Sequence, residues 1–161
     1  MTDPRSASPH GTVVDPAVFL KMMGKWGHGA ALGVHYRAHG DDWCELVLPY
    51  ADRLVGDPAT GVLASGPILA LMDMATSLAT ALKRGVWIPQ ATLDFRLDYL
   101  RPAKPGCDVV GRGECYRLTR SIGFVRGFVH DGDPDDPIGH AAGTFMVTGP
   151  MPASAGMVTP R

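Results

Sequence analysis

Charge is scarce and balanced in this 161-residue chain. Fifteen Lys and Arg face 16 Asp and Glu, together 19% of residues, for a formal net charge of −1. Such a balance gives no general attraction for nucleic acid or anionic membrane, and neither is expected as a partner. Cysteine is scarce too. Cys44, Cys107 and Cys115 form no CxxC pair, and an odd count argues against a disulfide scaffold and for a reduced, cytoplasmic setting. The six histidines show neither HExxH nor finger spacing, so no metal site is expected, nor any cofactor. No apolar run reaches the roughly 18 uninterrupted residues of a membrane span. The N-terminal MTDPRSASPHGTVVD lacks the apolar core of a secretory signal. Internal repeats are absent as well.

What remains is an ordinary globular composition, 45% hydrophobic at 17.1 kDa, enough for one domain with a sizeable core. Residues 1–14 and 149–161 are rich in Pro, Ser, Gly and Ala and read as tails, leaving residues 15–148 as the domain. Asp15-Pro16 opens a short helix ending near Gly24, with Asp15 as N-cap. Strands are expected at Gly33–His39 and Trp43–Pro49, joined by a Gly-Asp-Asp turn. Residues 50–61 are polar and turn-rich and read as a loop.

Between Leu63 and Leu82 the chain reads LASGPILALMDMATSLATAL, apolar all round except for Asp73 at its middle. A helix of this kind is expected to be buried, and a buried lone carboxylate is costly unless paired, hydrogen-bonded or protonated. Asp73 is therefore the leading functional candidate. The plain alternative is an Asp bonded to a nearby Thr or Ser, such as Thr76 or Ser77 one turn on. Ser65 or Gly66 can cap the helix, Pro67 suits its first turn, and Lys83-Arg84-Gly85 closes it. The period then changes to two. Leu93, Phe95, Leu97 and Tyr99 alternate with Asp94, Arg96 and Asp98, which places Thr92 on the polar side of a half-buried strand. Three more strands are expected at Val109–Leu118, Ile122–His130 and Ile138–Val147. The first two carry small-residue faces: Val109, Gly111, Gly113 and Cys115, then Gly123, Val125, Gly127 and Val129. Strand glycines often mark close approach of another backbone. An α+β fold follows, a curved antiparallel sheet wrapped around one buried helix.

Three segments, GVLASGPILALMDMA (Gly61–Ala75), QATLDFRLDYLRPAKPG (Gln90–Gly106) and RLTRSIGFVRGFVHD (Arg117–Asp131) with the AAGTFMV close (Ala141–Val147), carry a family likeness in their order and spacing. The chain resembles the hotdog-fold acyl-CoA thioesterases of the phenylacetate-degradation (PaaI) type. The resemblance implies hydrolysis of a CoA thioester, with Asp73 as general base or nucleophile. It implies sites shared across a homodimer, which many relatives pair again into homotetramers. It aligns Gly66 and Ser65 with the paired glycines of the family's G-x-x-H-G-G, and Ala64 with its histidine. Asp57 lies nearest the family's loop asparagine, with Thr60 close by. Thr92 aligns with a Ser or Thr near the attacking water, and from the polar side it needs a subunit edge to reach the site.

The chemistry asks for the same parts. The first turn of a helix offers unpaired amides and partial positive charge, suited to a thioester oxygen turning negative, and Ser65 and Gly66 stand there. Asp73 lies six residues past Pro67, about 9 Å along the axis, so one helix does not bring both to one carbon. CoA carries phosphates. Seven Lys and Arg against three acids lie between Arg96 and Arg126, and Arg101, Lys104 and Arg120 at strand ends are the chosen contacts. Two rival readings are kept. A CoA-ester-binding protein without turnover is made credible by Ala64. A hotdog dehydratase needs a histidine beside the helix start, and none lies between His39 and His130. A serine hydrolase lacks its G-x-S-x-G.

Overall fold

The computed structural model describes residues 27–149, together with Asp15 and Val18. Asp15 accepts the Val18 amide at 3.2 Å, as the expected N-cap requires. The rest of that expected helix, and the tails but for Gly149, lie outside the described residues. A six-residue helix not anticipated from sequence, α1 (Gly27–Leu32), precedes the hairpin β1 (His35–His39) and β2 (Trp43–Leu48). The Gly40 amide bonds the Trp43 carbonyl across its turn. The expected loop holds a 3-10 turn (Asp52–Leu54) and a small hairpin of β3 (Val55–Asp57) and β4 (Val62–Leu63).

The long helix α2 spans Ser65–Arg84. Its N-cap is Ala64, with no side-chain cap, rather than Ser65 or Gly66. Its end is the expected one, Gly85 at φ 77° closing onto the Ala81 and Leu82 carbonyls. Four strands follow: β5 (Gln90–Tyr99), β6 (Val109–Leu118), β7 (Ile122–His130) and β8 (Gly139–Val147). The antiparallel sheet runs β1-β2-β6-β7-β8-β5, so β5 is an edge strand.

Packing of α2 on the sheet depends on the expected glycine faces. A Cβ on Gly113 would sit 2.5 Å from the Thr76 nitrogen, and one on Gly111 2.9 Å from the Met72 sulfur. The helix lies that close. By length and composition α2 could cross a membrane; here its Ile68, Leu71, Met72, Ala75, Leu78 and Ala79 are buried in the core. The buried hydroxyls of Thr76 and Thr80 bond back to carbonyls of their own helix.

The expectation that α2 is buried all round is corrected. Gly66 and Leu69 are exposed and Ala70, Asp73 and Ser77 are half-buried, a stripe left open because the sheet wraps the other faces. Cys44 and Cys115 are free and buried; burial, with Glu45 beside it, pushes the Cys44 thiol up to about 12.

Gly113→Ala should destabilise the fold by about 2 kcal/mol or more, because the new methyl meets helix backbone that cannot rotate away. Gly66→Ala, with open space at that Cβ, should cost nothing. Denaturant unfolding of both variants checks the contrast, and equal stabilities would contradict this packing.

Candidate active site

Asp73 sits at mid-helix on the open stripe of α2, and its neighbour arrives from β5. The Thr92 hydroxyl donates to Asp73 Oδ1 at 2.9 Å within the same chain. One turn on, Gln90 Nε2 donates to the Ser77 carbonyl and hydroxyl oxygens, each at 2.7 Å. Thus two side chains of β5, two residues apart, bond two helix residues four apart, matching the periods of strand and helix.

This geometry corrects the expectation for Thr92, which was assigned to the polar face and to a subunit edge. The register of β5 on β8 shifts between Thr92 and Asp94. Thr92 faces Phe145 and Phe95 faces Gly143, both inner-face partners. Leu93 is the extra residue of a β-bulge and is 54% exposed, out of phase with the Phe95, Leu97 and Tyr99 it was grouped with. Bulges re-aim side chains in this way. The hydroxyl on Asp73 is that of Thr92 and not of Thr76 or Ser77: Thr76 bonds the Met72 and Asp73 carbonyl oxygens, and Ser77 bonds Gln90.

Burial pushes the Asp73 carboxyl above its ordinary value, and the Thr92 hydrogen bond pulls it partly back. No hydrogen bond reaches Oδ2 among the described residues. At the helix start Ser65 and Gly66 are exposed, the first turn carries no side-chain cap, and a Cβ on Gly66 would meet nothing within 4 Å. The Tyr99 hydroxyl donates to the Ser65 carbonyl at 2.8 Å, a contact not anticipated from sequence. Its signal was the aromatic ending β5.

The remaining sequence candidates separate. Asp57 and Thr60 hold each other at 2.8 Å in an exposed turn, with Asp57 also taking the Ala59 amide. Arg101 grips Asp131 with two bonds of 2.8 Å and also pairs with Asp136. The Asp131 side chain is fully buried, and Arg101 holds its carboxyl well below the usual range. Arg101 is therefore committed to the fold rather than held ready for substrate. Lys104 gives its amide to Asp131 but keeps its ammonium, 3.6 Å from that carboxylate, on a side chain 56% exposed. Arg120 is exposed at the β6–β7 turn. A recess of about 280 Å³ on the outer sheet face, lined by Arg112, Arg126, Phe128 and His140, contains neither Asp73 nor Thr92.

The family description "Thioesterase superfamily" matches residues 60–138, from the turn before α2 through β5 to the start of β8. Over that span, just under half of its length, the chain is similar to the thioesterase superfamily. A Pseudomonas aeruginosa protein of solved structure is 37% identical, with a TM-score of 0.72 over 81% of this chain and 95% of its own. A mutant of the phenylacetic acid degradation protein PaaI from Thermus thermophilus is 25% identical, with a TM-score of 0.63 over 74% of this chain and 96% of that one. A Haemophilus influenzae protein named as a candidate esterase is 33% identical over 91 residues, 56% of this chain and 64% of its own length. The chain spans less than two thirds of the length of the curated relatives it matches. The sheet and helix are those of the hotdog fold expected from sequence.

Proposed function

We propose that this protein hydrolyses acyl-CoA thioesters to free acid and CoA, as a thioesterase of the PaaI type. The observation that carries the reading is the half-buried Asp73 carboxylate with Thr92 as its hydroxyl donor, set in a superfamily of thioester hydrolases. Thr92 holds Oδ1 and keeps the carboxylate ionised, and Oδ2 takes a proton from water as the water oxygen adds to the thioester carbon. The carbonyl oxygen turns negative against helix-start amides at Ser65 and Gly66. When the carbonyl re-forms, the C–S bond breaks and the departing thiolate takes up the proton. In the nucleophilic variant, an Asp73 oxygen attacks the carbon, the C–S bond breaks with loss of the CoA thiolate, and water cleaves the resulting anhydride to the free acid and the Asp73 carboxylate. Water is the only co-reactant in either route.

The site is completed by a second copy. About 9 Å of helix separates the first turn from Asp73 in one chain, and the stripe between them is open. The edge strand β5 exposes Leu93 at 54%, Tyr99 at 43% and Leu100 just beyond it at 61%, apolar cover that a homodimer would bury. Asp57 and Thr60 shape the turn leading to the helix start, and the exposed Lys104 and Arg120 are the cations this reading assigns to CoA phosphates. The second reading, CoA-ester binding without turnover, draws on Ala64, which caps the helix with no side-chain bond.

A thiol-release assay over short, medium, long and aromatic acyl-CoAs should show turnover without added metal or cofactor. Binding with no turnover on any of them would favour the second reading. Asp73→Asn should lower kcat at least about a hundredfold. It should fold as well as the parent or better, because ionising a carboxyl whose value is raised costs stability as pH rises through that value. Near-normal kcat in this variant would return Asp73 to a structural role.

Shared sites make a separate prediction. An Asp73→Asn chain mixed with a Gly66→Val chain, each inactive alone, should recover about a quarter of the parental activity on random pairing, since half the dimers carry one intact site of two. No recovery in verified mixed dimers would sink the shared-site arrangement.

A further inference from the structure

The Ser65 carbonyl and the Gly66 amide are two ends of one peptide unit, planar by resonance. The Tyr99 hydroxyl donates to the carbonyl end at 2.8 Å. Tyr99 closes β5, the strand that also sends Thr92 to Asp73. Tyr99 lies seven positions past Thr92, an odd offset that would put them on opposite faces of a regular strand. The bulge at Leu93 returns both to the helix side. One edge strand therefore holds the helix at two points, mid-helix through Thr92 and the first turn through Tyr99.

We propose, building on the thioesterase reading, that Tyr99 is a positioning residue for the Gly66 amide. Its phenol fixes the plane of the Ser65–Gly66 peptide and draws electron density toward the carbonyl. The N–H at the other end becomes a better donor to the developing oxyanion, since hydrogen bonds in a chain polarise one another. Tyr99 does not touch the substrate and acts through the peptide. Phenylalanine in its place keeps the ring and removes only the hydroxyl, and burial pushes the Tyr99 phenol further above ordinary values, keeping it a donor at neutral pH.

The test is Tyr99→Phe in the full chain, read in two ways. Steady-state kinetics on the best acyl-CoA substrate should show kcat down about five- to tenfold, less than the hundredfold or more for deleting an oxyanion donor, with KM within twofold. The amide resonance of Gly66, followed by ¹H–¹⁵N NMR, should move while those of Leu78 and Ala79 stay in place. An unmoved Gly66 resonance overturns the proposal whatever the turnover, and so does a moved resonance with unchanged kcat. A parental chain with no thioester turnover would instead strike at the thioesterase reading. An active parent that is sensitive to Asp73→Asn but indifferent to Tyr99→Phe would strike at this inference alone.

Discussion

One extra residue in an edge strand organises the site. Strands alternate faces with a period of two, so a side chain reaches the helix only if the strand is in phase at that position. β5 needs two phases. From Phe95 onward it must turn its apolar residues to the core, and at Gln90 and Thr92 it must turn polar groups to the same helix. Inserting Leu93 between them satisfies both demands. Without that bulge the Asp73 carboxylate would lose its hydroxyl donor, or the Phe95 and Leu97 side chains would lose the core they pack against.

Two carboxylates sit in opposite electrostatic settings. Asp131 has no exposed side-chain surface, yet it is gripped by Arg101 and the Lys104 amide and held ionised well below the usual range. Its contribution to stability is present at neutral pH and is lost as pH falls through that depressed value. Removing Arg101 would leave that buried carboxylate with only the Lys104 amide and the Lys104 ammonium at 3.6 Å, and would destabilise the fold. Asp73 runs the other way: burial raises it, with only a hydroxyl to offset the desolvation. A carboxylate held at such a cost makes the stronger base.

Much of this could be read before any coordinates. Gly111, Gly113, Gly123 and Gly127 marked the sheet face on which a helix would lie closely, and the change of period after Gly85 marked the helix-to-strand switch. Asp73 stood out because a lone charge in an apolar helix is costly. Less legible were features set by the third dimension. A bulge leaves no mark in a pattern such as T-L-D-F-R-L, so the alternation took Leu93 as a core position and sent Thr92 outward. Arg101 looked like a phosphate contact because its partners, Asp131 and Asp136, lie 30 and 35 residues away in sequence. The open stripe of α2 was missed because an apolar run does not say which faces of a helix the sheet will cover.

The most direct test of the Asp73–Thr92 pairing is the titration of the Asp73 carboxyl itself, followed by ¹³C NMR in the parental chain and in Thr92→Val. Desolvation raises the value and the threonine hydrogen bond lowers it. The parental midpoint should therefore lie above 3.8, and loss of the hydroxyl should move it further up. A parental midpoint at or below 3.8, or one that Thr92→Val leaves in place, would contradict the account.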